Sequence, residues 1–272
     1  MHVHHFNCGT MRPLGGRLID GNGHPFRPAT MICHCLLVET DAGLVLIETG
    51  FGANGAQRPR EWFTPWFRLA TRPVREPAES AVSHLTELGY TADDVRHIVL
   101  THADLDHAGG LADFPRAKVH VSATEHRRLG GARYRDIQFA HRPDWELYED
   151  GAGESWFGLD GARQLRGLPD DIQLIPLPGH TVGHSGVAVR LGSDRWLLHA
   201  GDSLFFHGQL DSTRPHAPLG LRVFERIVQE DDAARRDSQR KLRALVAAHG
   251  DQVTVISAHE QSALIDRQVM AS

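Results

Sequence analysis

The stretch 102–110, which reads HADLDHAGG, constrains this chain more than any other feature. It follows the segment from Val95 to Leu100, which is predicted to be a strand. Its metal-capable side chains are His102, Asp104, Asp106 and His107. In extended backbone the first two point the same way and can share a metal ion, whereas the adjacent last two diverge and can serve a second ion. The glycines that follow allow a sharp turn close to such a site.

Ligand-type residues also follow three later predicted strands. His180 lies in Pro178-Gly179-His180-Thr181, Asp202 follows Ala200-Gly201, and His259 lies in Ala258-His259-Glu260. Layered α/β folds assemble their sites at strand ends, from loops that are distant in sequence. We therefore predict one metal site built from four strand ends.

The remaining pattern predicts two sheets covered by helices in a single domain, 1–272. Predicted strands cover 31–39, 43–48, 95–100, 117–121, 172–175, 185–189, 195–199 and 252–256, and predicted helices cover 77–89 and 231–249. Two segments fit neither pattern. The first, 50–77, is rich in aromatic residues and is predicted to be a structured flap; the second, 124–171, is predicted to be an insertion over one end of a sheet.

Composition excludes several classes of protein. There are 29 Lys and Arg against 34 Asp and Glu, a net charge of −5, which argues against a nucleic-acid partner. No apolar run approaches the roughly 20 residues of a membrane span, and the start lacks the pattern of a secretory signal. We therefore expect a cytoplasmic protein without a membrane partner. Cys8, Cys33 and Cys35 are expected to be small buried hydrophobic residues rather than metal ligands.

Taken in order, these motifs resemble the metallo-β-lactamase superfamily, from about Met31 to Glu260. The resemblance includes Glu48-Thr49-Gly50, where the family usually has Asp-Thr-Gly. It implies an α/β fold, the four-layer αββα sandwich, and a metallo-hydrolase nearest to the lactonases and glyoxalase II-like enzymes.

The resemblance also implies roles for individual residues. His102, Asp104 and His180 would hold a first divalent metal ion, and Asp106, His107 and His259 a second. Asp202 would bridge the two ions. A hydroxide shared by the ions would be the nucleophile, and Asp106 would carry the proton to the leaving group.

Two positions depart from the family pattern. Asp104 stands where a His is usual. Three carboxylates and a hydroxide then carry a charge of −4 against +4 from two divalent ions, whereas a neutral His at this position would leave the site with a net charge of +1. The extra oxygen donor favours iron or manganese more than a nitrogen-rich site would, although we place zinc slightly ahead. Phe205 stands where the homoserine-lactone lactonases carry a Tyr, and Phe cannot donate a hydrogen bond. His207 or Tyr134 are the candidates to replace that donor.

The leading hypothesis is a hydrolase that cleaves an ester or lactone bond in a small molecule, as quorum-quenching lactonases do. The alternatives are an iron-dependent redox enzyme of the same fold and a phosphotriester hydrolase. His184 and His199 are candidates to orient the ligands or to be ordinary core histidines. The aromatic residues of the flap are equally consistent with a substrate pocket, a homodimer interface and core packing; they are Trp62, Phe63, Trp66 and Phe67.

Overall fold

The computed structural model describes residues 1–149, 151, 153–262 and 264, and its strands form two six-stranded sheets. The first sheet contains, in spatial order, β1 (His2–Met11), β2 (Met31–Thr40), β3 (Gly43–Ile47), β4 (Val95–Val99), β5 (Lys118–Ser122) and β6 (Asp144–Tyr148). The second contains β12 (Val253–Ile256), β11 (Trp196–His199), β10 (Ser185–Arg190), β9 (Ile172–Pro176), β8 (Leu159–Gln164) and β7 (Glu154–Trp156). Pairing is parallel from β3 to β6 and between β11 and β12, and antiparallel elsewhere.

The helices are short, apart from the last two. They are α1 (Arg17–Asp20), α2 (Gly52–Gln57), α3 (Pro59–Trp62), α4 (Pro65–Thr71), α5 (Ala81–Glu87), α6 (Ala123–His126), α7 (Asp136–Phe139), α8 (Leu219–Val228) and α9 (Asp232–His249). Single 3₁₀ turns cover Pro77–Glu79, Ala92–Asp94, Leu111–Asp113, Gly201–Ser203 and His207–Leu210. Asp231 caps α9 by accepting a hydrogen bond from the Ala234 amide at 2.9 Å.

The side chains of a strand point alternately to the two faces of its sheet, and this alternation produces the layers of the fold. In β2, Leu36 and Val38 face the second sheet, whereas Leu37 faces the helix α5. On the far side, α9 covers the second sheet with Leu242 and Leu245. The order of layers is therefore helix, sheet, sheet, helix, and the predicted αββα sandwich is confirmed.

Two segments differ from the sequence-based expectation. The strand β1 was not predicted, because histidines and half-buried positions obscure its alternation at the edge of the sheet. The segment 124–171 does not simply lie over a sheet end, since it supplies β6 and β7 at one edge of each sheet and β8 beside β7. Edge strands are partly exposed, so their polar residues hide the apolar pattern by which strands are predicted.

The flap segment 50–77 folds into the three short helices α2, α3 and α4. Its Trp62, Phe63 and Phe67 are buried together, and Trp66 is half exposed. Within the described residues, no helix is long and apolar enough to span a membrane.

Candidate metal centre

The predicted ligands meet at one end of the sandwich, where four strands finish. The loop after β4 carries the 102–107 donors, and the loops after β9, β11 and β12 bring His180, Asp202 and His259 beside them. Three groups of residues each offer donor atoms that lie within 4.8 Å of one another inside the group. They are His102, Asp104 and His180; His102, His107 and Asp202; and Asp106, His107 and His259. Most of these side chains are buried, since they lie beneath the surrounding loops.

Asp202 lies between the first and last of these groups. Its Oδ2 is 3.3 Å from His180 Nε2 and 3.9 Å from His102 Nε2. Its Oδ1 is 3.3 Å from His107 Nε2 and 3.0 Å from His259 Nε2. One carboxylate oxygen therefore faces each group, which is the arrangement that a bridging ligand requires.

Hydrogen bonds at the far side of two imidazoles orient them toward the centre. His107 Nδ1 lies 2.6 Å from Glu48 Oε2, and His259 Nδ1 donates to the Ile32 carbonyl at 2.7 Å. With Nδ1 protonated in the neutral ring, Nε2 carries a lone pair that points inward. Glu48 Oε1 also accepts a hydrogen bond from the Thr101 amide at 2.6 Å, so this carboxylate ties β3 to the loop after β4.

Unpartnered buried atoms show that these residues fit a divalent metal ion. Among the described residues, no hydrogen-bond partner reaches His102 Nε2, His107 Nε2 or Asp202 Oδ1, although all three are buried. Lone pairs that face one another at 3.0–3.3 Å repel unless a cation lies between them. A divalent ion would satisfy all three atoms at once.

The electrostatics of the site also favour a bound cation. Burial by itself lowers the pKa of His107, but the carboxylates of Asp202, Glu48 and Asp106 outweigh burial and raise that pKa well above its usual value. Burial also lowers the pKa of His259, but the carboxylates around it, led by Asp202, outweigh burial, so the pKa of His259 is raised. For Asp202, the neighbouring histidines, led by His259, outweigh burial and hold the pKa well below its usual range. The carboxylates thus create a field that attracts positive charge.

Arg133 is a residue of the site that the sequence did not reveal. Its Nε donates to Asp104 Oδ1 at 2.6 Å and its Nη2 to Asp104 Oδ2 at 2.5 Å. The same Nη2 lies 2.8 Å from His180 Nε2, and Nη1 donates to the Val228 carbonyl at 2.6 Å. Arg133 lies in a segment without a clear pattern, so the only hint was Asp104 itself, an additional carboxylate that needs a cation.

His184 and His199 orient the backbone around the ligands. His184 donates from Nδ1 to the Leu177 carbonyl at 2.9 Å and accepts from the Asp202 amide through Nε2 at 3.0 Å. Burial and the neighbouring His180 lower the pKa of His184 to about 3, so it stays neutral. His199 donates to the His34 carbonyl at 2.8 Å and accepts from the Gly201 amide at 3.3 Å. Both rings therefore position the loop that carries Asp202.

Neither candidate for the missing hydrogen-bond donor lies at the cavity over the site. The Tyr134 hydroxyl donates to Glu125 at 2.8 Å, and the exposed His207 pairs with Glu260 in an adjoining pocket that shares Phe205 and His259 with the cavity. Neither residue lines the cavity in this structure, so the replacement of the lactonase Tyr by one of them stays a prediction. Phe205 does line the cavity, with its ring stacked on His259 at 5.2 Å between centroids.

A cavity of about 490 Å³ opens above the donor groups. Its polar floor consists of Asp104, Asp106, Arg133, His180, Asp202 and His259. Its walls are largely apolar and include Ile19, Met31, Trp66, Phe67, Phe224 and Ile227. An apolar wall beside a polar floor suits a ligand that has a reactive polar head and an apolar body.

Comparisons with known proteins agree with this geometry. Residues 29–250 match the family model of the metallo-beta-lactamase superfamily. The chain is 41% identical to a probable metallo-hydrolase of Mycobacterium tuberculosis, over 95% of this chain and 80% of that protein. It is 28% identical to the N-acyl homoserine lactonase AttM of Agrobacterium fabrum, over 91% of this chain and 88% of the relative.

A solved structure shares the fold at low sequence identity. The Bacillus thuringiensis AiiA variant crystallised with N-decanoyl-L-homoserine at its active site superposes with a TM-score of 0.72 at 19% identity, covering 96% of this chain and 93% of that one. The family match, the layered fold and the converging donors lead to one conclusion: the chain belongs to the metallo-beta-lactamase superfamily.

Proposed function

We propose that this protein is a metal-dependent hydrolase that opens lactones bearing an apolar acyl chain, with N-acyl homoserine lactones as the substrate class and simple esters as weaker substrates. The observation that carries the proposal is the cavity of about 490 Å³, which joins the metal-ligating groups to an apolar wall. The lactonases among its relatives act on this kind of molecule.

The donor set supports a divalent ion held by Asp106, His107, His259 and Asp202. Imidazole nitrogens with carboxylate oxygens suit zinc, which we place ahead of iron and manganese. When bound, such an ion supplies a Lewis acid and lowers the pKa of water at the site. The resemblance to the family predicts a second ion in the group of His102, Asp104 and His180.

The protein's own residues would divide the remaining tasks. The walls formed by Trp66, Phe67 and Phe224 would hold the acyl chain and exclude water from it. Asp106 lines the cavity, and its carboxyl group would carry a proton to the oxygen of the alcohol that leaves. Phe205 would pack against the ring of the lactone without donating a hydrogen bond.

The test measures hydrolysis across a series of N-acyl homoserine lactones with short and long acyl chains. The protein is stripped of metal, then loaded with zinc, manganese or iron in turn. We expect turnover with at least one metal, and a KM that falls as the acyl chain lengthens. Absence of turnover of lactones and aryl esters with all three metals would contradict the proposal, and oxygen consumption by the iron-loaded protein would then favour the redox alternative.

Trp66→Ala tests the acyl wall directly. Trp66 lines the cavity from α4, and losing its apolar surface should raise KM for long-chain lactones roughly 10-fold and change KM for short-chain lactones less. Leu69→Ala is the matched control, because Leu69 lies on the same helix, is 80% exposed and does not line the cavity. Equal effects of the two variants on all chain lengths would place the acyl chain elsewhere.

A further inference from the structure

The Arg133 guanidinium lies among the donor atoms of the group formed by His102, Asp104 and His180. It contacts both oxygens of Asp104 through a fork at 2.5 and 2.6 Å, and it contacts His180 Nε2 at 2.8 Å. A bidentate arginine–carboxylate pair is among the strongest side-chain contacts in proteins, and this one is largely shielded, since the Arg133 side chain is 21% exposed. Arg133 is therefore anchored at this position.

The contact with His180 has a consequence for metal binding. A neutral imidazole has one unprotonated nitrogen, with a single lone pair. Arginine has only N–H donors, so His180 Nε2 is the acceptor in its 2.8 Å contact with Arg133 Nη2. The same nitrogen also lies 3.1 Å from Asp104 Oδ2, the oxygen that Arg133 Nη2 holds, so it is enclosed by this ion pair. A lone pair that accepts this hydrogen bond is not free for a metal ion. A metal ion bound to His180 Nε2 and the Arg133 guanidinium would both carry positive charge, so they would also repel one another at such close range.

The group around His107 has no such competitor. Among the described residues, no hydrogen bond joins Arg133 to Asp106, His107 or His259, and His107 Nε2 is buried without a partner. His102 Nε2 belongs to the group with His107 and Asp202 as well, so it is the candidate for a further ligand of the same ion. One ion near Asp202 Oδ1 therefore uses the donors that Arg133 leaves free.

Charge balance is consistent with one ion. Asp104 adds a negative charge where the family usually has a neutral His, and Arg133 adds the matching positive charge through a direct ion pair. Asp104 and Arg133 then form a neutral unit. The contacts above use four of the five N–H groups of the guanidinium, which leaves one Nη1 hydrogen for a ligand in the cavity that Arg133 lines.

We propose that Arg133 takes the place of the first metal ion, so that this chain binds a single divalent ion, with Asp106, His107, His259 and Asp202 as its ligands. In this arrangement the guanidinium is the cationic group that receives the carbonyl oxygen of the substrate. The inference rests on the proposed function only in treating this site as a metal centre. It replaces the two-ion expectation that the family resemblance suggests.

The primary test is metal stoichiometry of the wild-type protein, which needs no variant and no substrate. The untagged protein is stripped with a chelator, titrated with Co²⁺ while the visible absorption of the bound ion is recorded, and analysed for metal after gel filtration. We expect saturation at one ion per chain. Saturation at two ions per chain would overturn the inference and leave the proposed lactonase function standing, whereas a chain that binds no ion would contradict the proposed function.

A double variant, Asp104→His with Arg133→Met, tests the cause. Removing the guanidinium and restoring an imidazole should raise the stoichiometry to two ions per chain and change the Co²⁺ spectrum. Arg128→Met is the matched control, because Arg128 is an exposed residue of the same region that pairs with Glu230, and its stoichiometry should stay at one. If the folded double variant, checked by circular dichroism, still binds one ion, Arg133 is not what limits the number of ions.

Discussion

At the scale of single residues, Glu48 shows how a buried carboxylate prepares a metal ligand. Glu48 is 1% exposed and has a φ of +63°, a left-handed conformation that is unfavourable for a residue with a side chain. Its two oxygens accept from the Thr101 amide and contact His107 Nδ1, both at 2.6 Å. The strain is offset because one side chain orients His107 and fixes the start of the ligand loop.

We predict that Glu48→Gln weakens metal binding about 10- to 100-fold, the range found when the partner of a ligating histidine is altered. The amide keeps a single acceptor oxygen, so either Thr101 or His107 loses its partner. Competition with a chromophoric chelator measures the affinity. Glu39→Gln is the control, since Glu39 pairs with His4 away from the site. Equal affinity in both variants would mean that Glu48 does not orient His107.

At the scale of elements, the turn after the ligand loop depends on close backbone contact. A Cβ at Gly109 would lie 2.5 Å from the Leu105 carbonyl oxygen and 2.7 Å from that of Gly50. The carbonyl of Gly109 accepts a hydrogen bond from Trp62 Nε1 at 3.0 Å, which ties the flap to this turn. The glycine therefore allows the ligand loop, β3 and the flap to meet.

We predict that Gly109→Ala lowers the free energy of unfolding by about 2 kcal/mol or more, because backbone rather than a flexible side chain must move. Urea denaturation of the purified protein measures the change. Gly192→Ala is the control, since a Cβ at Gly192 meets no atom within 4 Å. A Gly109 variant as stable as this control would show that the turn can relax at little cost.

At the scale of the whole molecule, a buried polar chain links three strands of the first sheet. Tyr148 accepts from the Arg166 amide and lies 2.8 Å from His120 Nδ1, and His120 Nε2 lies 2.8 Å from His97 Nδ1. Burial, reinforced by the nearby His97, lowers the pKa of His120 to about 3. The folded protein therefore holds this imidazole neutral.

This shift gives a signed prediction for the stability of the molecule. In the unfolded chain a histidine has a pKa of about 6.5. Below that pH the unfolded state binds a proton at His120 that the folded state does not bind. The free energy of unfolding should therefore fall as the pH drops from about 6.5 toward 4. His120→Phe should make this decline shallower, and the exposed His24→Phe should not. Thermal unfolding across this pH range measures the slopes, and identical slopes for His120→Phe and wild type would contradict the assignment.

Much of the fold could be predicted from the sequence, but four strands at or beside the sheet edges could not. The central strands β2 and β10 carry largely apolar runs that follow from burial on both faces. The four strands that were not predicted are partly exposed, so pairing with a neighbour, rather than their own pattern, makes them strands: β1, β6 and β7 at the edges, and β8 beside β7. Local periodicity carries no information about that pairing.

The sequence by itself determined the family and predicted the candidate donors, because His102, His180, Asp202 and His259 each follow a strand and strand order brings such ends together. Only the tertiary structure decided which charges face those donors. Arg133 comes from a segment with no motif, between α6 and α7, yet it contacts Asp104 and His180 in the folded chain. An ion pair between distant residues depends on distance in space, and spacing along the chain does not encode that distance.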